Sequence, residues 1–167
     1  MKIIGLTGKS GSGKSQIAKF MNEFGLATID LDKVAKEAID SDIDCLNNLR
    51  IYFGDDIFNN DGILKRGSLA KKAFSTKENT QKLNEITHEV MLSRLRYIIN
   101  EYKKANTDII VIDAAVLFES GIYKECDAII MAICPYKVSI NRIISRDNID
   151  LDLAKLRLSA QSGKEKY

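Results

Sequence analysis

The sequence predicts an α/β fold in which a parallel sheet lies between layers of helix, and three observations carry that expectation. Short apolar runs alternate with helical periodicity from one end of the chain to the other. Two of those runs, residues 107–113 and 127–134, are almost continuously apolar, as strands covered on both faces are. The first run, Ile3-Ile4-Gly5-Leu6-Thr7, feeds a glycine-rich turn that opens a helical segment. No internal repeat, low-complexity tract or Pro/Gly linker interrupts the chain, so one domain is expected over residues 1–167.

Composition narrows the class. With 167 residues the chain can bury a real core, and 45% apolar with 29% charged residues is ordinary for a soluble globular protein. A formal charge of +2 is too small to argue for nucleic acid or an anionic membrane as partner, and neither is expected. Cys45, Cys126 and Cys134 are odd in number, widely spaced and form no CxxC, which points to idle thiols in a reducing compartment. No apolar run approaches about 18 residues, and the chain starts directly in a strand, so neither a membrane span nor a signal peptide is expected. A cytoplasmic protein is the expectation.

The turn after the first strand is Gly8-Lys9-Ser10-Gly11-Ser12-Gly13-Lys14-Ser15, a full match to G-x-x-x-x-G-K-[ST] at the strand-to-helix junction that pattern requires. Its backbone amides and the helix N-terminus converge on an anion. Lys14 then reaches the β- and γ-phosphates of a nucleoside triphosphate, and Ser15 offers its hydroxyl to Mg²⁺. Gly8, Gly11, Ser12, Gly13 and Gln16 complete the expected nucleotide-binding set.

In the following helix Ile17, Ala18, Phe20, Met21 and Phe24 recur at helical spacing, with Gly25 as the stop. A short strand, residues 26–29, closes on Asp30-Leu31-Asp32. Asp32 sits where an N-cap would, so capping competes with a functional role. Asp30 lies at the carboxyl end of its strand, where ligands bind in open α/β sheets. Leu46, Leu49, Ile51 and Phe53 predict a helix ending near Gly54, and Asn59-Asn60-Asp61-Gly62 predicts a turn. A long helix is expected from about Lys77 to Lys104, with Leu83, Ile86, Val90, Leu95, Ile98, Ile99 and Tyr102 as its buried stripe. Residues 30–105 thus form a helical excursion far longer than the usual connection, and a natural place to hold a second substrate. His88 lies at the edge of that stripe, where a packed structural residue is the commoner role.

The run ending at Asp113 places an acid in a Walker-B-type position near Mg²⁺. The run at 127–134 reads as a further buried strand and stops at Pro135, the single proline. Arg142 and Arg146 lie four residues apart on the next helix, hence on one face. They form either a solvated basic face or a cationic lid over the triphosphate, work that suits the planar guanidinium fork. Residues 150–160 predict a last short helix.

Taken together these residues resemble the dephospho-CoA kinase family along nearly the whole chain. Ile4 to Gly8 leading into Gly11-Ser12-Gly13-Lys14-Ser15 is similar to that family's opening, and Asp30-Leu31-Asp32 with Ala35 to its D-x-D-x-x-A element. Leu64-Lys65-Arg66 with Leu69, Ala70 and Phe74, then Leu83-Asn84-Glu85-Ile86-Thr87-His88, resemble two further stretches. Asp113 to Glu119 resembles D-x-P-L-L-F-E, and Arg142, Arg146-Asp147, Ala154, Arg157 and Gln161 resemble the lid and the segment after it. Lys9, Ser10, Gln16, Glu89 and Ala115 depart from the family's usual residues.

The resemblance implies ATP-dependent phosphorylation of the 3′-hydroxyl of dephospho-CoA, the last step of coenzyme A synthesis. It implies a P-loop sheet in strand order 2-3-1-4-5, with a core over about 1–30 and 107–140, a helical CoA-substrate subdomain over about 31–106 and a lid over about 141–160. It assigns Asp32 to accept the hydroxyl proton, with Lys14, Arg142 and Arg146 as the other catalytic groups. It also moves His88 to the acceptor site, with Thr7, Asp30, Leu117, Phe118 and Glu119 as neighbours by their place at strand ends. Ser15 and Asp113 are the Mg²⁺ candidates. The family continues into a final strand and helix that this sequence lacks, so either a truncated form or an open edge at residues 127–134 is expected. An open apolar edge favours pairing between chains, and the expected state is a monomer or weak homo-oligomer. Two alternatives share the loop: another P-loop kinase for a nucleoside or nucleotide, or a nucleotide-dependent switch, although no N-K-x-D motif is present.

Overall fold

The structure is a computed structural model that describes residues 1–159. The expected helix end at Ala160, and Gln161 of the resemblance, lie outside them. The chain divides into two compact units, one of Met1–Asp30 with the residues from Ala105 onward, the other of Leu31–Lys104.

The first unit is the sheet. Its strands are β1 (Lys2–Gly8), β2 (Ala27–Asp30), β3 (Ile109–Asp113) and β4 (Ala128–Ala132), all parallel, in the order β2-β3-β1-β4. That is the expected order without a fifth strand among the described residues. The register pairs Leu6 with Asp113, Asp30 with Asp113 and Gly8 with Ala132. The loop, both acids and the end of β4 therefore share the carboxyl edge. Leu6, Ile110, Val111 and Ile112 are fully buried, which is why β1 and β3 read as unbroken apolar runs.

Helix α1 (Lys14–Glu23) follows the loop. Its apolar residues are less covered than their spacing suggests: none is fully buried among the described residues, and Phe20 and Phe24 are exposed. The other difference is β4. It is shorter than residues 127–134 and, among the described residues, lies at the sheet edge that the resemblance allowed for, not buried on both faces as its apolar run suggests; Ile129 and Ile130 are more than a third exposed. An apolar run reports what a strand is built to bury and says nothing about how many neighbours it has.

The second unit holds helices α2 (Leu31–Ser41), α3 (Ile43–Phe53), α4 (Arg66–Ala73) and α5 (Lys77–Lys104). Helix α2 starts at Leu31, so Asp32 occupies its first turn and is not an N-cap. Asp42 does cap α3, its carboxylate accepting from the Cys45 amide at 2.7 Å. The turn at 59–62 forms as expected, with Asn59 Oδ1 accepting from the amides of Asp61 and Ile63. Arg66 joins α4 to α2 through Asp40 at 2.7 Å and the Lys36 carbonyl at 3.0 Å. The core gathers Leu49, Phe53, Ile57, Leu64 and Leu69, with Leu83, Ile86 and Val90 of α5 packed against it. On α5 itself Met91, Leu95 and Ile99 are the buried residues, and Met91 was not in the expected stripe.

Burial pushes the thiols of Cys45 and Cys126 up to about 11, with nearby carboxylates adding to it. Both remain protonated at neutral pH. Leu49 is fully buried in the helical unit. Leu49→Ala is expected to cost roughly 2–5 kcal/mol, read as a lower urea midpoint for the helical signal.

Candidate functional site

After β1 the chain leaves the sheet at Gly8 and turns through Gly11 and Gly13, both with positive φ (77° and 99°). At Gly11 a second constraint applies. A Cβ there would lie 2.5 Å from the Ser139 carbonyl oxygen on α6 (Tyr136–Asp147). Glycine is required both by the left-handed backbone and by the neighbouring helix. Gly13 then caps α1 with no side-chain bond, leaving the first amides of the helix to a ligand. Ser15 and Gln16 are exposed in that first turn, while Ser12 is buried and its hydroxyl has no hydrogen-bond partner.

Lys14 does not point into solvent. Its ammonium pairs with the carboxylate of Asp113 at the end of β3, and only 16% and 13% of the two side chains is exposed. The strand ending in an acid and the loop lysine, identified separately in the sequence, are thus brought into contact. Asp30 ends the neighbouring strand, opposite Asp113 in the register.

Both lid arginines reach the loop. Arg142 Nη1 donates to the Gly11 carbonyl at 3.2 Å and lies 3.9 Å from Cys134 Sγ. Arg146 Nη2 donates to Ser10 Oγ at 3.2 Å. Both arginines remain exposed, the Arg146 side chain to 60%, so each contacts the loop from a solvated position. Arg146 also pairs with Asp147 through Nε at 2.7 Å and Nη2 at 3.0 Å. That bond raises the guanidinium pKa and holds the carboxyl below the ordinary aspartate value.

Beside the loop lies a cavity of about 540 Å³. Thr7, Ser12 and Ser139 contribute polar atoms to it, and Phe118, Met131 and Tyr136 contribute apolar surface. Sequence reasoning selected Thr7, Gly8, Ser12 and Phe118 from that wall and did not select Met131, Tyr136 or Ser139. Met131 and Ser139 carry no local signal, since they come to the loop only through strand pairing and helix docking. Ser10 and Asp147 were missed as functional contacts for the same reason.

Other expected residues stand differently. Leu117 is fully buried, its side chain filling the space that a Cβ on Gly5 would need, so it sits in the core. Its place in an apolar stretch after a strand end could not show this. Glu119 is exposed in the turns after β3. Asp32 is exposed in the first turn of α2, and His88 is half-buried on α5; both belong to the helical unit. Among the described residues no group of three or more His, Cys, Asp or Glu side chains could hold a metal unaided.

A protein-family model described as dephospho-CoA kinase matches residues 2–167. Among curated relatives, the dephospho-CoA kinase of Fusobacterium nucleatum is 38% identical over 164 residues, covering 98% of this chain and 82% of its own. That of Corynebacterium jeikeium is 35% identical over 161 residues, covering 96% and 82%. Among solved structures, a Thermus thermophilus protein superposes with a TM-score of 0.82 at 25% identity, over 99% of this chain and 82% of the other. The dephospho-CoA kinase of Campylobacter jejuni gives 0.71 at 26% identity, over 99% and 83%.

Gly11→Ala tests the fit of loop to helix. It should raise the KM for ATP by at least about tenfold, since the added methyl must move the loop or α6, at an expense of order 1–2 kcal/mol or more. Steady-state kinetics with thermal unfolding as control will check it.

Proposed function

We propose how the site residues divide the work in a chain that belongs to the dephospho-CoA kinase family and phosphorylates dephospho-CoA with ATP in coenzyme A synthesis. The observation that carries the assignment is the convergence of Lys14, Asp113, Arg142 and Arg146 on one glycine-rich loop.

Loop amides from Gly11 to Ser15 hold the β-phosphate of ATP, with Gly8, Ser12 and Gln16 as flanking contacts. Lys14 exchanges its Asp113 partner for the γ-phosphate and follows the charge as it moves. Arg142 and Arg146 bring two guanidiniums to the loop rim, where they neutralise the phosphates. Asp32 orients the 3′-hydroxyl of the acceptor ribose and takes its proton. Asp30, His88, Thr7, Phe118 and Glu119 are the proposed acceptor neighbours. Leu117 is left out because it is buried.

Ser15 and Asp113 fit a Mg²⁺ ion. They offer a hydroxyl and a carboxylate, the hard oxygen donors this ion takes alongside phosphate and water. When bound, Mg²⁺ would supply charge neutralisation at the phosphates.

We further propose that the chain is the sheet core with a CoA-substrate subdomain over the helical excursion and a lid on α6 and α7 (Leu151–Ser159). It would work in the cytoplasm as a monomer or weak homo-oligomer, on small molecules and not on nucleic acid or membrane. Among the described residues no helix is long and apolar enough to cross a membrane.

Two substitutions separate the roles. Lys14→Ala should weaken ATP binding and lower turnover by roughly 10²–10³-fold. Asp32→Asn should lower turnover by a similar factor while ATP affinity stays near wild type, as read by nucleotide titration beside ADP-release kinetics. Full turnover in Asp32→Asn would remove Asp32 as the base.

A further inference from the structure

Asp147 stands at a junction of the lid. It is the last residue of α6, where a carboxylate runs against the helix dipole. Its side chain is 19% exposed and carries two guanidiniums, with Arg146 on one edge and Arg157 Nη1 of α7 on Oδ2. The hairpin of α6 and α7 also has an apolar seam of its own in Ile140, Ile143, Ala154 and Leu158. Arg146 bonds Asp147 and Ser10 of the phosphate loop together, using Nη2 for both.

We propose that Asp147 is a positioning residue that fixes the Arg146 guanidinium against the phosphate loop and ties it, through Arg157, to α7. A free arginine side chain loses rotamer entropy when it binds phosphate, and a guanidinium held in advance loses less. The carboxylate takes the Nε–Nη2 edge, and Nη2 donates a second time to Ser10 of the loop, an arrangement a lysine could not keep. Two guanidiniums around one carboxylate also leave a net positive charge, so the acid orients the lid without cancelling its attraction for a polyphosphate. Asp147 touches no reacting atom in this account. The inference rests on the reading of Arg146 as a phosphate contact.

The test is a kinetic cycle on the full chain, with KM for ATP, KM for dephospho-CoA, kcat and thermal unfolding measured together. Asp147→Asn keeps the shape and removes the charge. It should raise KM for ATP by about five- to tenfold, leaving KM for dephospho-CoA and the unfolding midpoint near wild type. In an Arg146→Ala background the same change should add less than about twofold, because the group it positions is gone. Equal effects of Asp147→Asn in both backgrounds, or an unchanged KM for ATP in the single variant, would overturn the proposal. A defect in Arg146→Ala beside a wild-type-like Asp147→Asn overturns this inference alone. An Arg146→Ala enzyme with unaltered kinetics overturns the phosphate role of Arg146 and the inference with it. Should Asp147→Asn fail to fold, Arg157→Gln leaves the carboxylate in place and unties α7. It should raise KM for ATP about two- to threefold, and no change would overturn the part assigned to α7.

Discussion

The close approach of α6 to the phosphate loop is the constraint on which the rest of the site depends. At Gly11 the two backbones are near enough that the loop has no room for a Cβ, and the Arg142 guanidinium fastens onto the same residue's carbonyl. The loop is therefore gripped from both sides: by β1, which sets where it leaves the sheet, and by the helix that carries the arginines. Sheet register fixes the first side, since Gly8 pairs with Ala132 just before the chain turns into α6. One short connection from β4 through Pro135 thus sets the distance between the cations and the phosphate cradle. A loop merely rich in glycine would be flexible. This one is shaped by its neighbour.

Charge follows the same economy. The loop lysine and one lid arginine each lean on an acid, Lys14 on Asp113 and Arg146 on Asp147. A cation left alone in a low-dielectric setting is expensive, and the Lys14 pair is mostly buried. The acid partners hold the two cations in place. Asp147 also carries a second guanidinium, that of Arg157.

Much of the sheet unit was legible because its signals are local. A complete loop motif, unbroken apolar strands and a terminal acid each occupy a few consecutive residues. Helix α5 was legible from Lys77 to Lys104 because its stripe runs for many turns. What could not be read depends on pairing across long separations. Leu117 looks like any residue beyond a strand end, and only its packing beneath Gly5 marks it as core. Ser139 and Met131 enter the cavity wall by tertiary placement alone. The edge position of β4 was likewise silent in its own residues, whose apolar character is the same whether one or two strands flank it. The arginine pair shows an intermediate case. Spacing put both on one face, and geometry was needed to show that this exposed face also touches the loop.

Asp32 shows how a one-residue boundary changes a chemical argument. Had it capped α2, its carboxylate would be spent on backbone amides, and a base role would compete with the helix for the same oxygens. Because the helix begins at Leu31, Asp32 lies within the first turn, where a negative charge suits the dipole without being tied to a particular amide. Leu31 explains the shift: it is almost fully buried, so the helix is anchored one residue before the acid. The buried leucine separates Asp30, which ends a strand, from Asp32, which starts a helix, and places the two carboxylates in different units. An acid stabilised by position and left exposed does not have to give its oxygens to the backbone.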